Sequence, residues 1–267
     1  MHIHDAVLVV AHPDDEILWF SSVLNSCKRV VACFGPSATS AESWDTGRAA
    51  LMENYPLTKA RFLKVRQSNA FEAANWKNPT ESDSGLHLRR RQTRASYTRN
   101  AREIRRLLEG ELNQESLVFT HNPWGEYGNE EHVQVFRIVM ELKDKLGFEL
   151  FVNGYVSNRS VKLMSRCAHS LGGNPVTRET DTELAHRLKQ LYQENDCWTW
   201  LDDYEWPRYE SFYRITQPTA VAAPGSTSSL PLNYIAFEFN QSQMRKLASR
   251  LLPTSVKSQI KRLSKLV

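Results

Sequence analysis

Three side chains that can bind a metal ion or move a proton stand together near the start of the chain. His12, Asp14 and Asp15 lie in the hexapeptide AHPDDE, directly after a short apolar run. Zinc binds histidine nitrogen and carboxylate oxygen, and a catalytic zinc site leaves one position open for water. Successive side chains on an extended backbone diverge, so one aspartate can bind metal while its neighbour handles protons. The spacing therefore predicts a metal-dependent catalytic centre.

This hexapeptide and the later segment Gly128–Phe136 (GNEEHVQVF) resemble the signature of the LmbE/PIG-L family of zinc-dependent N-deacetylases. The resemblance implies that His12 and Asp15 are zinc ligands and that Asp14 is the general base. It also implies that His132, at the opening of a helix, is the third ligand. A His-Pro-Asp-Asp string alone is often only a turn, and its pairing with His132 favours the metal site.

The residues beside His132 also have a simpler interpretation. Glu130 and Glu131 suit the positive end of a helix macrodipole, and they are left out of the predicted site. In the family, the helix opens with an HxxH element whose last histidine corresponds to His132. The first histidine of that element is implied to stabilise the oxyanion or protonate the amine, and in this chain its position holds Asn129. Asparagine can donate a hydrogen bond but cannot deliver a proton. The predicted acid must therefore be another residue.

Two residues are candidates for that acid. Asp14 can return the proton that it accepts, and His121, in the segment FTHNPWGEYG, is the second candidate. The sequence is equally compatible with a structural role for His121, in which the ring is hydrogen bonded and takes no part in catalysis. Tyr127 can donate a hydrogen bond to the oxyanion. The predicted catalytic residues are Asp14, His121 and Asn129.

The predicted substrate contacts are Arg48, Trp124 and Tyr127. Family members often carry an arginine after the second strand that touches the substrate, and Arg48 is the nearest equivalent. Trp124 lies in the same loop as the expected ligand, and a flat ring can pack on the apolar face of a sugar, although large aromatics are more often core residues. The aromatic and acidic segment 196–215 is expected to form one wall of the pocket.

The elements that position these residues follow from apolar runs and helical patterns. Continuous apolar runs are typical of strands buried on both faces of a parallel sheet. Strands are predicted at Ala6–Val10, Arg29–Phe34, Ala60–Val65, Ser116–Thr120 and Glu149–Val156, with helices at Thr98–Glu109, Glu131–Leu146 and Leu184–Tyr192. This alternation predicts a Rossmann-like α/β fold, a mostly parallel sheet with helices on both faces. Ligands bind beyond the carboxyl ends of such strands.

The chain is predicted to divide into a deacetylase domain at 1–215 and an extension at 216–267. Residues 216–232 have the composition of a connection, and Tyr234–Phe239 is predicted to be a short strand. Residues Gln243–Val267 are predicted to form one or two basic helices broken at Pro253. The helix after Pro253 is amphipathic, with the apolar residues Val256, Ile260, Leu263 and Val267 and the cations Lys257, Lys261, Arg262 and Lys265. Such a helix can lie on an anionic membrane or pack on protein.

Composition excludes several classes of protein. Hydrophobic residues at 41% and a mean hydropathy of −0.50 exclude an integral membrane protein. Four cysteines without a CxxC pair favour reduced thiols and a cytoplasmic location, with peripheral membrane attachment as an option.

The cluster Arg89–Arg106 is typical of a solvated face or a phosphate contact, and no nucleic-acid-binding motif accompanies it. A dinucleotide site is disfavoured because no glycine-rich fingerprint follows the first strand.

The predicted function is zinc-dependent removal of the N-acetyl group from an N-acetylhexosamine-type sugar, with a lipid-linked or diphosphate-linked sugar of glycan or glycolipid biosynthesis as one option. One alternative is a sugar-binding or scaffold protein on the same fold with impaired catalysis, motivated by Asn129. Another is an amidase that acts on a different sugar conjugate, such as a sugar-thiol conjugate.

Overall fold

The computed structural model describes residues 3–35, 42–114, 116–216 and 230–236. The strands are β1 (Ala6–Val10), β2 (Arg29–Phe34), β3 (Ala60–Val65), β4 (Glu81–Ser82), β5 (Gly85–Leu86), β6 (Leu117–Thr120), β7 (Glu149–Asn153), β8 (Tyr155–Ser157), β9 (Val176–Glu179), β10 (Tyr209–Arg214) and β11 (Asn233–Ile235). The helices are α1 (Asp15–Leu18), α2 (Ser21–Leu24), α3 (Glu42–Glu53), α4 (Arg91–Leu108), α5 (Glu130–Leu146), α6 (Val161–Cys167) and α7 (Thr182–Glu194), with short 3-10 helices at Ile3–Asp5 and Ala168–Ser170.

Seven strands form the central sheet in the order β3-β2-β1-β6-β7-β10-β9. The first five pair in parallel, and β10 runs antiparallel to both of its neighbours. The predicted α/β architecture with a mostly parallel sheet is therefore confirmed. The single strand predicted at Glu149–Val156 is interrupted at Gly154 and forms two strands, β7 and β8. A Cβ atom at residue 154 would lie 3.0 Å from the ring of Tyr213, so the backbone packs closely on that ring.

The sheet separates two hydrophobic cores, as the alternation of side chains along a strand requires. Val7 and Val9 of β1 face one core, where α4 and α5 pack. Leu8 and Val10 face the other core, where α1, α2 and α7 pack. Helices therefore cover both faces of the sheet, and β1 is buried on both sides.

A topological switch point lies between β1 and β6. From β1 the chain proceeds to β2 and β3 on one side, whereas β6 and β7 lie on the other. The loops after β1 and β6 therefore diverge at the carboxyl edge of the sheet and leave a crevice, which is the usual ligand site in such folds. His12 follows β1, and His121 follows β6 directly.

The described part of the predicted extension contacts the main sheet region. The strand predicted at Tyr234–Phe239 corresponds to β11, which pairs in parallel with β8. The basic amphipathic helix predicted after Pro253 lies outside the described residues, and the proposed boundary at residue 215 stays a prediction. Among the described helices, none has the length and apolar character needed to cross a bilayer.

Candidate metal and catalytic site

Three potential metal ligands meet at the carboxyl edge of β1 and the start of α5. The ligand atoms of His12, Asp15 and His132 all lie within 4.8 Å of one another. Asp15 Oδ2 is 3.3 Å from His12 Nδ1, and Asp15 Oδ1 is 3.2 Å from His132 Nε2. The structure thus brings together the three residues that the sequence predicts to be ligands.

Buried carboxylates bind the ring nitrogens of the two histidines that do not face Asp15. His12 Nε2 is hydrogen bonded to Glu131 Oε2 at 2.8 Å, and His132 Nδ1 is hydrogen bonded to Glu126 Oε2 at 2.7 Å. A carboxylate that accepts one ring N–H fixes the tautomer and leaves the other nitrogen with a lone pair for a metal. His12 Nδ1 and His132 Nε2 are therefore the nitrogens that face Asp15.

Asp15 is oriented by its own set of donors. The backbone N–H of His12 donates to Oδ2 at 2.7 Å, and the indole of Trp19 donates to Oδ1 at 2.9 Å. Burial alone would raise the pKa of Asp15, but the neighbouring His132 and His12 hold that pKa well below its usual range. The carboxylate is therefore ionised, as a metal ligand must be.

Glu126 connects the loop after β6 to the potential metal ligand His132. Its carboxylate accepts hydrogen bonds from the rings of His121 and His132, from the backbone N–H of Asn122 and from the amide of Asn153. Burial would raise the pKa of Glu126, but the contacts with His121 and His132 lower it to about 2. Glu126 is thus a buried anion that sets the position of His132.

His121 lies behind the ligands rather than in the cavity. The backbone N–H of Ala11 donates to His121 Nε2 at 2.8 Å, and Nδ1 contacts Glu126 at 3.1 Å. The ring is fully buried and stacks on His132 at a centroid distance of 3.9 Å. Both nitrogens are engaged, so the structural alternative for His121 agrees with this geometry, and the predicted acid role does not.

A metal ion fits the set of His12, Asp15 and His132. His132 Nε2 is buried and has no hydrogen-bond partner among the described residues, although it faces the Asp15 carboxylate. Two imidazoles and one carboxylate match the donors that zinc takes in catalytic sites. A second cluster, of His121, Glu126 and His132, also has closely spaced ligand atoms, but hydrogen bonds within it already occupy the facing atoms.

Asp14 points into the cavity beside this set. It adopts a φ of 98°, which non-glycine residues rarely adopt, and its backbone N–H donates to Glu16 Oε2 at 2.9 Å. Thr199 donates a 2.5 Å hydrogen bond to Asp14 Oδ2, and Arg48 lies 3.8 Å away. Burial raises the pKa of Asp14 to about 7, against the opposing charge of Arg48.

Arg48 reaches the same cavity from α3. Its side chain is almost fully buried, and its Nη2 donates to the carbonyl of Pro13 at 3.2 Å. Nε and Nη1 have no hydrogen-bond partner among the described residues, and the guanidinium lies 4.0 Å from the ring centre of Trp44. Buried donors without partners are costly in the absence of a ligand. Arg48 therefore has free donors in the cavity lining, and its contact with substrate stays a prediction.

Asn129 caps helix α5 and holds Tyr127. Its Oδ1 accepts from the backbone N–H of Glu131 at 2.8 Å, and its Nδ2 donates to the hydroxyl of Tyr127 at 2.7 Å. Both residues line the cavity. Burial raises the pKa of Tyr127 well above its usual value, so the phenol keeps its proton and remains a possible donor.

Aromatic residues close the cavity, but Trp124 is not among them. Trp124 is fully buried in the core, and its indole N–H donates to the carbonyl of Tyr155 at 2.7 Å. This structure therefore places Trp124 outside the cavity lining, and its contact with a sugar stays a prediction. The aromatic lining consists of Trp44, Phe71, Tyr127 and Trp200. Trp200 and Thr199 come from the segment 196–215, which was expected to form one wall.

Sequence reasoning missed three groups of this site. Glu131 was attributed to the helix dipole, yet it contacts His12, and it also accepts from the backbone and hydroxyl of Ser68. Glu126 lies in the predicted loop, and its proximity to a histidine-rich site was an available signal. Thr199 has no local signal, because its contact with Asp14 joins residues far apart in the chain.

This chain is similar in structure to several solved deacetylases. Solved structures similar to this chain include teicoplanin deacetylase Orf2 in a zinc-inhibited form (TM-score 0.49, 10% identity, 79% of this chain and 98% of that one). They also include a deacetylase–teicoplanin complex (TM-score 0.46, 10% identity, 79% of this chain and 98% of that one). A third is the A40926 pseudoaglycone deacetylase Dbv21 (TM-score 0.43, 13% identity, 81% of this chain and 99% of that one). At these identities and TM-scores they add no argument about the activity of this chain. No curated protein sequence matches it.

The match to a protein family is more informative. The family model PIG-L, described as GlcNAc-PI de-N-acetylase, matches residues 7–143. This range contains His12, Asp15 and His132, as well as Asp14 and Arg48, and it covers just over half of the chain. The chain therefore belongs to the PIG-L family.

Proposed function

We propose that this protein is a zinc-dependent N-deacetylase that removes the acetyl group from an N-acetylhexosamine-type sugar. Membership of the PIG-L family supports a deacetylase that modifies a sugar. The observation that supports the metal-dependent chemistry is the close approach of the ligand atoms of His12, Asp15 and His132, which lie within 4.8 Å of one another beside a cavity lined by Asp14. Asp14 remains the proposed base.

The proposed chemical role of each residue follows from the position of its side chain. A zinc ion held by His12, Asp15 and His132 would supply Lewis-acid chemistry, which lowers the pKa of water and polarises a carbonyl. Asp14 accepts the proton of the attacking water at its carboxylate, while Thr199 keeps that carboxylate in place. The protonated Asp14 then delivers the proton to the amine nitrogen as the C–N bond breaks. Asn129 positions Tyr127, whose hydroxyl donates to the developing oxyanion.

The proposed sugar follows from the walls of the cavity. Trp44, Phe71 and Trp200 offer flat apolar surfaces for a pyranose ring, and Arg48 offers unpartnered donors for its hydroxyls or for an attached anion. A lipid-linked or diphosphate-linked sugar fits this lining, and so does a free one. Mass spectrometry of products from free, nucleotide-linked and lipid-linked N-acetyl sugars tests the proposal. We expect loss of one acetyl mass, and intact substrates in every class would refute it.

A second candidate function is sugar binding without catalysis. The observation in its favour is that the Asn129 side chain already caps α5 and holds Tyr127, and an amide transfers no proton. Tight binding of an N-acetyl sugar by metal-loaded protein without acetate release would establish this alternative. Sustained acetate release would exclude it, because a protein that only binds the sugar does not cleave the amide bond.

Replacing Thr199 with valine tests how Asp14 is positioned. The change removes the hydroxyl that donates to Asp14 Oδ2 but keeps the shape of the side chain. A hydrogen bond to a charged group contributes about 1.5–3 kcal/mol, so we expect kcat to fall by about tenfold or more. KM and zinc content should change little, and Thr199→Ser should restore most of kcat. Equal kcat values for Thr199→Val and the unaltered protein would exclude this role.

Replacing Glu131 with glutamine tests the support of the ligand His12. An amide N–H in place of the carboxylate oxygen would oppose the His12 Nε2–H tautomer and thereby disturb Nδ1. Loss of such outer partners typically weakens metal affinity by about 10–100-fold. The control is Glu130→Gln, a buried neighbour that contacts Ala74 and Trp76 instead. Competition with a chromophoric chelator measures both affinities, and similar values for the two variants would contradict the assignment.

A further inference from the structure

A second cavity of ≈ 380 Å³ lies between α4 and the hairpin formed by β4 and β5. Helix α4 supplies one wall through residues spaced three or four apart, which lie on one face of the helix. The polar residues of that wall are Arg94, Thr98, Arg102 and Arg105, and those of the opposite wall are Ser82, Asp83, Ser84 and His87. None of these residues belongs to the proposed metal site.

The walls of this cavity are fixed to each other and to α5. Gln134 donates hydrogen bonds to the carbonyls of Ser84 and Tyr97 at 3.0 and 2.9 Å. The hydroxyl of Tyr97 accepts from the backbone N–H of Leu86 at 3.4 Å. Gly85 has a φ of 125°, and a Cβ there would lie 2.3 Å from that hydroxyl, so the hairpin packs closely on α4. The cavity is therefore a preformed feature of the fold.

The cavity carries an excess of positive charge that the described residues do not neutralise. Arg105 forms an ion pair with Glu141, but neither Arg94 nor Arg102 forms a salt bridge within the described ranges. Asp83 is the single carboxylate in the lining. Arg94 also lies in the first turn of α4, which contains no acidic residue, so the helix macrodipole adds to the positive potential there.

We propose that this cavity binds a phosphate or diphosphate group. Two guanidinium groups can each donate paired hydrogen bonds to phosphate oxygens, a geometry that a single ammonium does not offer. The hydroxyls of Ser82, Ser84 and Thr98 supply further donors around the same space. The ligand chemistry is a compact oxyanion with more than one charge, carried either by a soluble organic phosphate or by a phospholipid headgroup. This proposal does not depend on the deacetylase assignment.

Calorimetric titration of the full chain with inorganic pyrophosphate tests the site. The double variant Arg94→Ala/Arg102→Ala removes two exposed arginines from the lining, whereas Arg99→Ala/Arg106→Ala removes two exposed arginines of the same helix that do not line it. Both have the same net charge. We expect the dissociation constant to rise by about tenfold or more in the first variant, because charge-assisted hydrogen bonds are lost, and to stay within about twofold in the second.

Three results would overturn the proposal: no binding of pyrophosphate, equal weakening in both double variants, or weakening only in the control. Circular dichroism checks that each variant is folded, and Arg102→Ala alone provides a milder second variant that should show a smaller loss. Sedimentation with phosphatidylcholine vesicles that contain phosphatidate identifies the source of the phosphate. Partitioning that depends on Arg94 and Arg102 indicates a lipid headgroup, and pyrophosphate binding without such partitioning indicates a soluble ligand.

Discussion

Replacing His132 with alanine is expected to abolish both zinc binding and deacetylation. His132 Nε2 is buried and lies 3.2 Å from Asp15 Oδ1, and removal of its ring leaves only two of the three proposed ligands. Because a catalytic metal contributes several kcal/mol to the transition state, turnover should fall by about a thousandfold or more. Elemental analysis and an acetate-release assay measure the two effects.

The matched control for this substitution is His169→Ala, which removes an exposed histidine away from the cavity. This variant should keep the zinc content and turnover of the unaltered protein. Stoichiometric zinc and undiminished turnover in His132→Ala would show that the ligand assignment is wrong.

Replacing Asp14 with asparagine should lower turnover without lowering zinc content, which distinguishes the proposed base from the proposed metal ligands. Asparagine is nearly isosteric and tolerates the positive φ of this position, so the loop should keep its shape. The amide cannot accept the proton of water, and loss of a positioned base costs about a hundredfold or more in turnover. Zinc content, measured on the same preparation, should be unchanged.

Asp15→Asn serves as the comparison for Asp14→Asn, because it should lower zinc affinity together with turnover. Equal turnover of Asp14→Asn and the unaltered protein, at full zinc occupancy, would remove Asp14 from the base role. Loss of zinc in Asp14→Asn would instead place Asp14 among the ligands.

The parallel part of the central sheet was predictable, because a buried parallel strand such as β1 is a continuous apolar run. The bounds of β1, β2 and β3 agree with the predicted ranges Ala6–Val10, Arg29–Phe34 and Ala60–Val65. The antiparallel strands β9 and β10 were not predicted, since charged residues interrupt both. Helix α4 begins at Arg91 rather than Thr98, since its polar and basic first turns lack the apolar periodicity that reveals a helix. Apolar patterns thus locate the core better than they locate helix ends.

The ligand cluster could be anticipated from the resemblance to the LmbE/PIG-L signature, which implies His12, Asp15 and His132 as ligands. The structure brings these residues together, because α5 begins at the same edge of the sheet at which β1 ends. The motif does not reveal which carboxylates stand behind the ligands, and Glu126 and Glu131 emerge only from the packing.

Residues with two plausible roles could not be assigned from the sequence. His121 and Trp124 both lie in the loop region after β6, yet Ala11 occupies one nitrogen of His121, and Tyr155 accepts from the indole of Trp124. These contacts depend on the exact register of neighbouring strands, which sequence alone leaves undetermined. Thr199 reaches Asp14 through a similarly long-range contact.

Reversible removal of the metal tests the central claim most directly. The purified protein is depleted of metal with a chelator, and acetate release from an N-acetyl sugar that it processes is measured before and after one equivalent of zinc is restored. Metal-dependent deacetylation predicts that depletion abolishes acetate release and that zinc restores it, while His132→Ala recovers no activity at the same zinc concentration. Undiminished acetate release from protein with confirmed metal depletion would contradict the proposal.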